Sequence, residues 1–327
     1  MLRPLIRPLA MRGLLFKERL RSGVSFNPLA PAFQQDPYPK YAELRERDPV
    51  HWGVLTKAWV LSRYEHVDAI LRDPARFASD ERRAGDQAPA YENPLGEERS
   101  LLRLDPPDHT RLRTLVTRAF TPRAIESMAL RVREIVETQL DPVRDGATVD
   151  IMAVLAYPLP VTVIAEMLGV PAEDRDRFKV WSNAVARTLE PTISPHEIGG
   201  AVRAAQELAE YFRGIIAARR QHPREDLISG LIAAEEEGDK LTESEMLVML
   251  RLLLVAGNET TTNLIGNGLL ALLRNPDQLQ RLRDDPSLTE SAVEELLRFD
   301  SPVQIDARVA LEDTEVDGHL IRRGQRT

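Results

Sequence analysis

Apolar residues recur at helical spacing through most of this chain and alternate only near its two ends. The longest helical run covers residues 242–274, TESEMLVMLRLLLVAGNETTTNLIGNGLLALLR. Thr242, with Glu245 three residues on, forms a capping-box start. Pro276 supplies the stop. At 1.5 Å per residue this helix is about 48 Å long. Its flanks are apolar on nearly every face, which predicts a buried rod. Its middle, Ala256-Gly257-Asn258-Glu259-Thr260-Thr261-Thr262-Asn263, is polar. A buried helix carries a carboxylate and several hydroxyls only where something pairs with them or uses them.

The same patterning places further elements. Helices are expected at Tyr38–Arg47 and Tyr64–Leu71, with short strands at 51–52 and 58–61 around a turn at 53–57. Residues 80–100, with Gly85, Pro89, Pro94 and Gly96, predict a long loop, either a lid or a surface excursion. Helices then follow at about 107–119, 122–140, 151–168, 172–188, 196–220, 224–236, 276–284 and 289–299. Residues 303–310 alternate like a strand, and Asp317-Gly318 reads as a hairpin turn between 314–316 and 319–321. Gly324 reads as a turn residue feeding a strand for which no apolar pattern follows. The fold class is mainly α with small β-sheets, in one domain over residues 25–327. Residues 1–24 predict a partly disordered arm, with Pro4 and Pro8 interrupting its helix. Arg3, Arg7, Arg12, Lys17, Arg19 and Arg21 against Glu18 make a membrane-surface or targeting segment the alternative.

Composition narrows the chemistry. A net charge of -8 over 327 residues argues against a nucleic-acid partner. No stretch is long and apolar enough for a transmembrane span. The sequence has no cysteine, which removes disulfides, thiolate nucleophiles and zinc–thiolate sites.

Four constellations carry candidate chemistry. Within the long helix, Gly257 would let a flat ligand approach the backbone. The Thr260 hydroxyl can bond the Ala256 carbonyl four residues back, and Glu259 can relay protons. A polar contact between packed helices accounts for the same residues equally well. In Leu104-Asp105-Pro106-Pro107-Asp108-His109-Thr110-Arg111-Leu112-Arg113, His109 and Arg113 share a helical face and could grip an anion. The alternative is a solvated surface pair. Glu295 and Arg298 stand at i and i+3, in isolation an ordinary surface ion pair. Arg308, among apolar strand neighbours, needs an anionic partner if buried.

Taken in this order, these residues resemble the cytochrome P450 family of the soluble bacterial type. Ala256-Gly257-Asn258-Glu259-Thr260-Thr261 is similar to its distal-helix signature, and Glu295-Leu296-Leu297-Arg298 to its E-x-x-R motif, a buried structural pair in the family. His109 to Arg113 resembles the H-x-x-x-R helix that contacts haem propionates, and Arg308 the strand arginine that does the same. The resemblance implies a haem b monooxygenase, reduced by a ferredoxin or flavoprotein electron donor, that inserts one oxygen atom into a lipophilic small molecule. It implies that Thr260 and Glu259 handle dioxygen and its protons, and that Ala256 and Gly257 leave room at the haem. It implies that His109, Arg113 and Arg308 bind propionates, and that the 80–100 loop, Leu253 and residues 303–307 line the substrate pocket. A cytoplasmic location goes with this resemblance. The family's thiolate ligand is a cysteine in a glycine-rich loop near the C-terminus, and it has no counterpart here. The sequence is therefore expected to be the N-terminal part of a longer enzyme, inactive alone, with no metal ligand of its own. The other readings are a haem-free P450-like partner or activator of another enzyme, and a helical small-molecule binder.

Overall fold

The computed structural model describes residues 3–88, 95, 100–120, 122–143, 146–189, 193–236 and 241–327. The chain forms two compact units. One comprises Met1–Glu92, Leu102–Asp105 and Asp306–Thr327; the other comprises Asn93–Leu101 and Pro106–Ile305.

The first unit holds α1 (Arg3–Ser22), α2 (Pro31–Gln35), α3 (Tyr38–Arg47), β1 (Val50–Gly53), β2 (Ala58–Leu61), α4 (Tyr64–Leu71), β3 (Phe77–Ala78), β4 (Val309–Ala310), β5 (Thr314–Val316) and β6 (His319–Ile321). Antiparallel β1 and β2 set Trp52 opposite Trp59, with their rings edge to face at 5.4 Å. The β5–β6 hairpin closes through Asp317 and Gly318, both at positive φ (50° and 76°), as the Asp-Gly dipeptide predicts. Ile70, Phe77, Ala310 and Ile321 form one core cluster, and Val24, Phe26 and Leu44 another.

Four expectations change in and beside this unit. Residues 3–22 form a single helix instead of a broken, partly disordered arm. Pro4 lies in the first turn, where an N–H has no helical partner, and Pro8 removes only one bond, to the carbonyl of residue 4. The strand expected over 303–310 shrinks to Val309–Ala310, because residues 303–307 are exposed irregular chain. A strand-like end does follow Gly324, which turns the chain at φ 82°. The Trp59 N–H donates to the Arg326 carbonyl at 2.8 Å, and the Ala310 N–H to the Gln325 carbonyl at 2.9 Å. Arg308 and Thr327 exchange both backbone bonds, at 3.0 and 2.9 Å. Hydrophobic alternation misses this strand because Gln325, Arg326 and Thr327 are all polar. Of the expected long loop, Glu81–Gln87 forms a 3₁₀ turn, while residues 89–94 and 96–99 lie outside the described residues.

The second unit is helical: α5 (Asp108–Ala119), α6 (Pro122–Leu140), α7 (Pro158–Met167), α8 (Arg175–Ala186), α9 (Pro195–Gln221), α10 (Leu227–Glu236), α11 (Glu243–Arg274), α12 (Pro276–Asp284) and α13 (Thr289–Phe299). The helix expected over 151–168 is divided. Met152–Ala156 winds as a π-helix, with the Tyr157 N–H reaching the Met152 carbonyl at 2.9 Å, before Pro158 opens α7. A buried ion pair ties α9 to the start of α10. Arg219 Nε donates to Asp226 Oδ2 at 2.5 Å, and its Nη2 donates to the Gly169 carbonyl at 3.0 Å.

The central rod α11 packs against α7, α8, α9 and the π-helix. Met246, Val248, Met249, Leu250, Leu254 and Val255 are buried in its first half. Its second half departs from the expected burial, with Leu270 47% and Leu273 61% exposed. That half meets α12 and α13, neither of which contains a buried residue.

Candidate distal site on the central helix

The site is built from the start of α11. The Thr242 hydroxyl accepts from the Glu245 N–H at 3.1 Å, and the Thr242 N–H donates to Glu245 Oε2 at 2.8 Å. Arg111 of α5 donates to the other Glu245 oxygen. Burial pulls the Glu245 carboxyl up, but the bonds from Thr242 and Arg111 together outweigh it and hold its pKa below the usual range. One carboxylate thus caps the long helix and fixes α5, the helix of His109 and Arg113, against it.

In the polar middle, two faces do different work. Asn258 is buried and its Nδ2 donates to the fully buried Ser182 hydroxyl of α8 at 2.8 Å. Thr262, one turn later, is also buried and donates to the Ala156 carbonyl at the end of the π-helix at 2.9 Å. These two residues are the polar helix contact, with each hydrogen bond satisfied inside the core. Neither was singled out from the sequence. Their signal was the i, i+4 spacing, continued at Gly266, where a Cβ would come within 2.7 Å of the Met152 sulfur.

The other face presents Ala256 exposed, with Glu259 and Thr260 half-buried. The Thr260 hydroxyl donates to the Ala256 carbonyl at 2.6 Å, the back-bond its spacing allows. The Glu259 Oε2 atom is shielded from solvent. Gly257 turns a different way. A Cβ there would lie 3.5 Å from Ile164, so its missing side chain faces α7. The bare surface of this turn is therefore at Ala256. Leu253, half-buried, lies within a turn before it.

On α5, Leu112, Leu115 and Val116 are buried, which leaves His109 half-buried and Arg113 exposed. Arg308 belongs to the other unit. Its Nη1 donates to Asp306 Oδ2 and to the Ala307 carbonyl, both at 2.8 Å, so its anionic partner is two residues away. Glu295 and Arg298 form a bidentate pair at 2.6 Å in both bonds, with side chains 56% and 69% exposed. The burial expected of that pair is absent: both residues lie on the exposed side of α13, whose half-buried residues are Ala292 and Leu296.

A family model for cytochrome P450 matches residues 49–327. The chain belongs to the cytochrome P450 family. The vitamin D(3) 25-hydroxylase of Pseudonocardia autotrophica is 42% identical over 297 residues, 90% of this chain and 72% of that protein. The monooxygenase PikC of Streptomyces venezuelae is 42% identical over 301 residues, 89% of this chain and 70% of that protein. The solved structure of the P450 PksS from Bacillus subtilis superposes with a TM-score of 0.83 at 39% identity, covering 92% of this chain and 76% of that one.

Membership of the P450 family implies a haem, and the residues present fit it on one side. The Ala256 turn offers an exposed methyl with a hydroxyl and a carboxylate in the following turn, and His109 and Arg113 offer two donors on one face of α5. The axial thiolate is not matched, because the sequence contains no cysteine. Among the described residues, no cluster of three His, Asp or Glu side chains provides a substitute metal site.

Proposed function

We propose that this chain supplies the oxygen-side wall of a haem b-dependent monooxygenase acting on a lipophilic small molecule. The observation that carries the proposal is the division of α11. Asn258 and Thr262 are consumed by packing, whereas Ala256 is exposed and the Thr260 hydroxyl bonds only back to its own helix, at the Ala256 carbonyl, among the bonds described. When bound, the haem supplies oxygen insertion with electrons from a ferredoxin or flavoprotein. Thr260 is a hydroxyl that can exchange its bond to the Ala256 carbonyl for one to a ligand, and Glu259 is a carboxylate able to hold a proton beside it. His109 and Arg113 are assigned to the propionates, with Arg308 as the third cation. Glu295 and Arg298 are assigned a structural role only, as the bidentate clasp within α13. Leu253 and the segment from Val303 to Ala307 are assigned to the substrate side, and the protein to the cytoplasm. No oxygen-activation step is assigned to this chain, which contains no thiolate.

Haemin titration, followed through quenching of the tryptophan fluorescence, tests the assignment. Saturable binding, weakened several-fold by Arg113→Ala, is the expected result. The carbon monoxide complex of the reduced protein is expected to lack the thiolate-ligated Soret band. Failure to bind haemin saturably overturns the assignment.

A further inference from the structure

Helix α1 has a lopsided distribution of charge. Its charges are Arg3, Arg7, Arg12, Lys17, Arg19 and Arg21 against Glu18, in a chain whose net charge is -8. Glu18 is also its one buried residue among those whose side chains are described. Glu18 Oε1 lies 2.6 Å from His51 Nε2 and accepts the Phe26 N–H at 3.1 Å. The His51 Nδ1 lies 2.7 Å from Asp48 Oδ2, so each ring nitrogen faces a carboxylate oxygen. The helix's only acidic residue is thereby drawn inward, and the rotation of α1 about its axis is fixed.

That rotation decides what faces outward. Met11, Leu15 and Ser22 are half-buried beside Glu18. At 3.6 residues per turn, Gly13, Phe16 and Leu20 fall within about 60° of one another on the opposite side. Phe16 is 64% and Leu20 71% exposed. Lys17 and Arg21 flank this strip on one side, Arg12 and Arg19 on the other, and all four are exposed. An apolar strip between two cationic rows matches the surface of an anionic bilayer, with aromatic and aliphatic groups entering the acyl boundary while the cations meet phosphates. No described helix is long and apolar enough to cross a membrane, so the helix would lie along the surface.

We propose that α1 is a peripheral membrane-binding helix, which docks the protein on bilayers carrying anionic lipids through Phe16 and Leu20 and the flanking Arg12, Lys17, Arg19 and Arg21. The test is flotation of the full chain with phosphatidylcholine vesicles, with and without phosphatidylglycerol, at low and high salt. Aggregates sediment in this assay and are not scored as bound. The chain is expected to float with the anionic vesicles, far less with phosphatidylcholine alone, and less again in high salt. Phe16→Ser with Leu20→Ser is expected to weaken binding at least about tenfold, since two apolar side chains lose their burial. Both residues are exposed, so the melting temperature is expected to stay unchanged. Leu270→Ser with Leu273→Ser, on the exposed half of α11, is expected to leave vesicle binding unaltered. Equal flotation with both vesicle types, or retention of binding by the Phe16/Leu20 variant, overturns the proposal. So does concentration-dependent dimerisation that the same variant abolishes, which would assign the face to a second copy of the chain.

Discussion

Two ion pairs of the helical unit have the same chemistry and opposite surroundings. Arg219 and Asp226 are 7% and 4% exposed; Arg219 also donates to the Gly169 carbonyl, and Asp226 also accepts the Ser229 N–H. Arg298 and Glu295 are 69% and 56% exposed, with two short bonds between them. The second pair lies in a recognisable sequence motif, and the first lies in none. Geometry within a pair is therefore a poor guide to its worth; what matters is the charge left behind when one partner is removed.

The largest expected effect follows directly. Arg219→Ala strands the Asp226 carboxylate in the core and is expected to cost about 3–5 kcal/mol in a denaturant melt. A loss below about 1 kcal/mol would erase the contrast. The two halves of α11 extend it to apolar contacts. Leu254→Ala, at a fully buried position, is expected to cost about 2–5 kcal/mol, and Leu273→Ala, at 61% exposure, no more than about 0.5 kcal/mol. Equal losses would mean that the second half is buried in solution. Gly257→Ala is smaller and of opposite sign. The added methyl meets Ile164 at ordinary contact distance, so the helix is expected to gain about 0.5–1 kcal/mol. Destabilisation there would show that the α7 contact is tighter than 3.5 Å. Glu295→Gln is the smallest. Arg298 holds the Glu295 carboxyl below its usual pKa, so whatever the pair contributes is present above that range and lost as the pH falls through the lowered value. Solvent screens the pair, and no shift in melting temperature is expected between pH 5 and 8.

Much of the fold was legible because local rules were sufficient for it. Thr242 and Glu245 marked the start of α11, and Pro276 lay just past its end. Asp317-Gly318 specified the hairpin, since few dipeptides accept two positive φ angles. The strand after Gly324 was not legible, because Gln325 to Thr327 earn their place through backbone bonds to Trp59 and to residues 308–310, which alternation of side chains does not report. The continuity of α1 was missed for a related reason. Proline rules describe an isolated helix, whereas α1 is held from outside by the Glu18–His51 contact.

The candidate site divides along the same line. Sequence by itself carried the family resemblance, through motifs in a fixed order, and it determined the back-bond spacing of Thr260 and Ala256 and the shared face of His109 and Arg113, which follow from the helical period. Only the tertiary structure decided which polar residues of α11 remain available. Asn258 and Thr262 are spent on Ser182 and Ala156, Gly257 faces Ile164, and Ala256 is exposed. It also placed Arg308 in a different compact unit from His109 and Arg113, and left the Glu295–Arg298 pair in water. The physical reason is that burial is set by neighbours distant in sequence. A helix's period tells which residues share a face, but only the packed partners tell whether that face meets core, ligand or solvent.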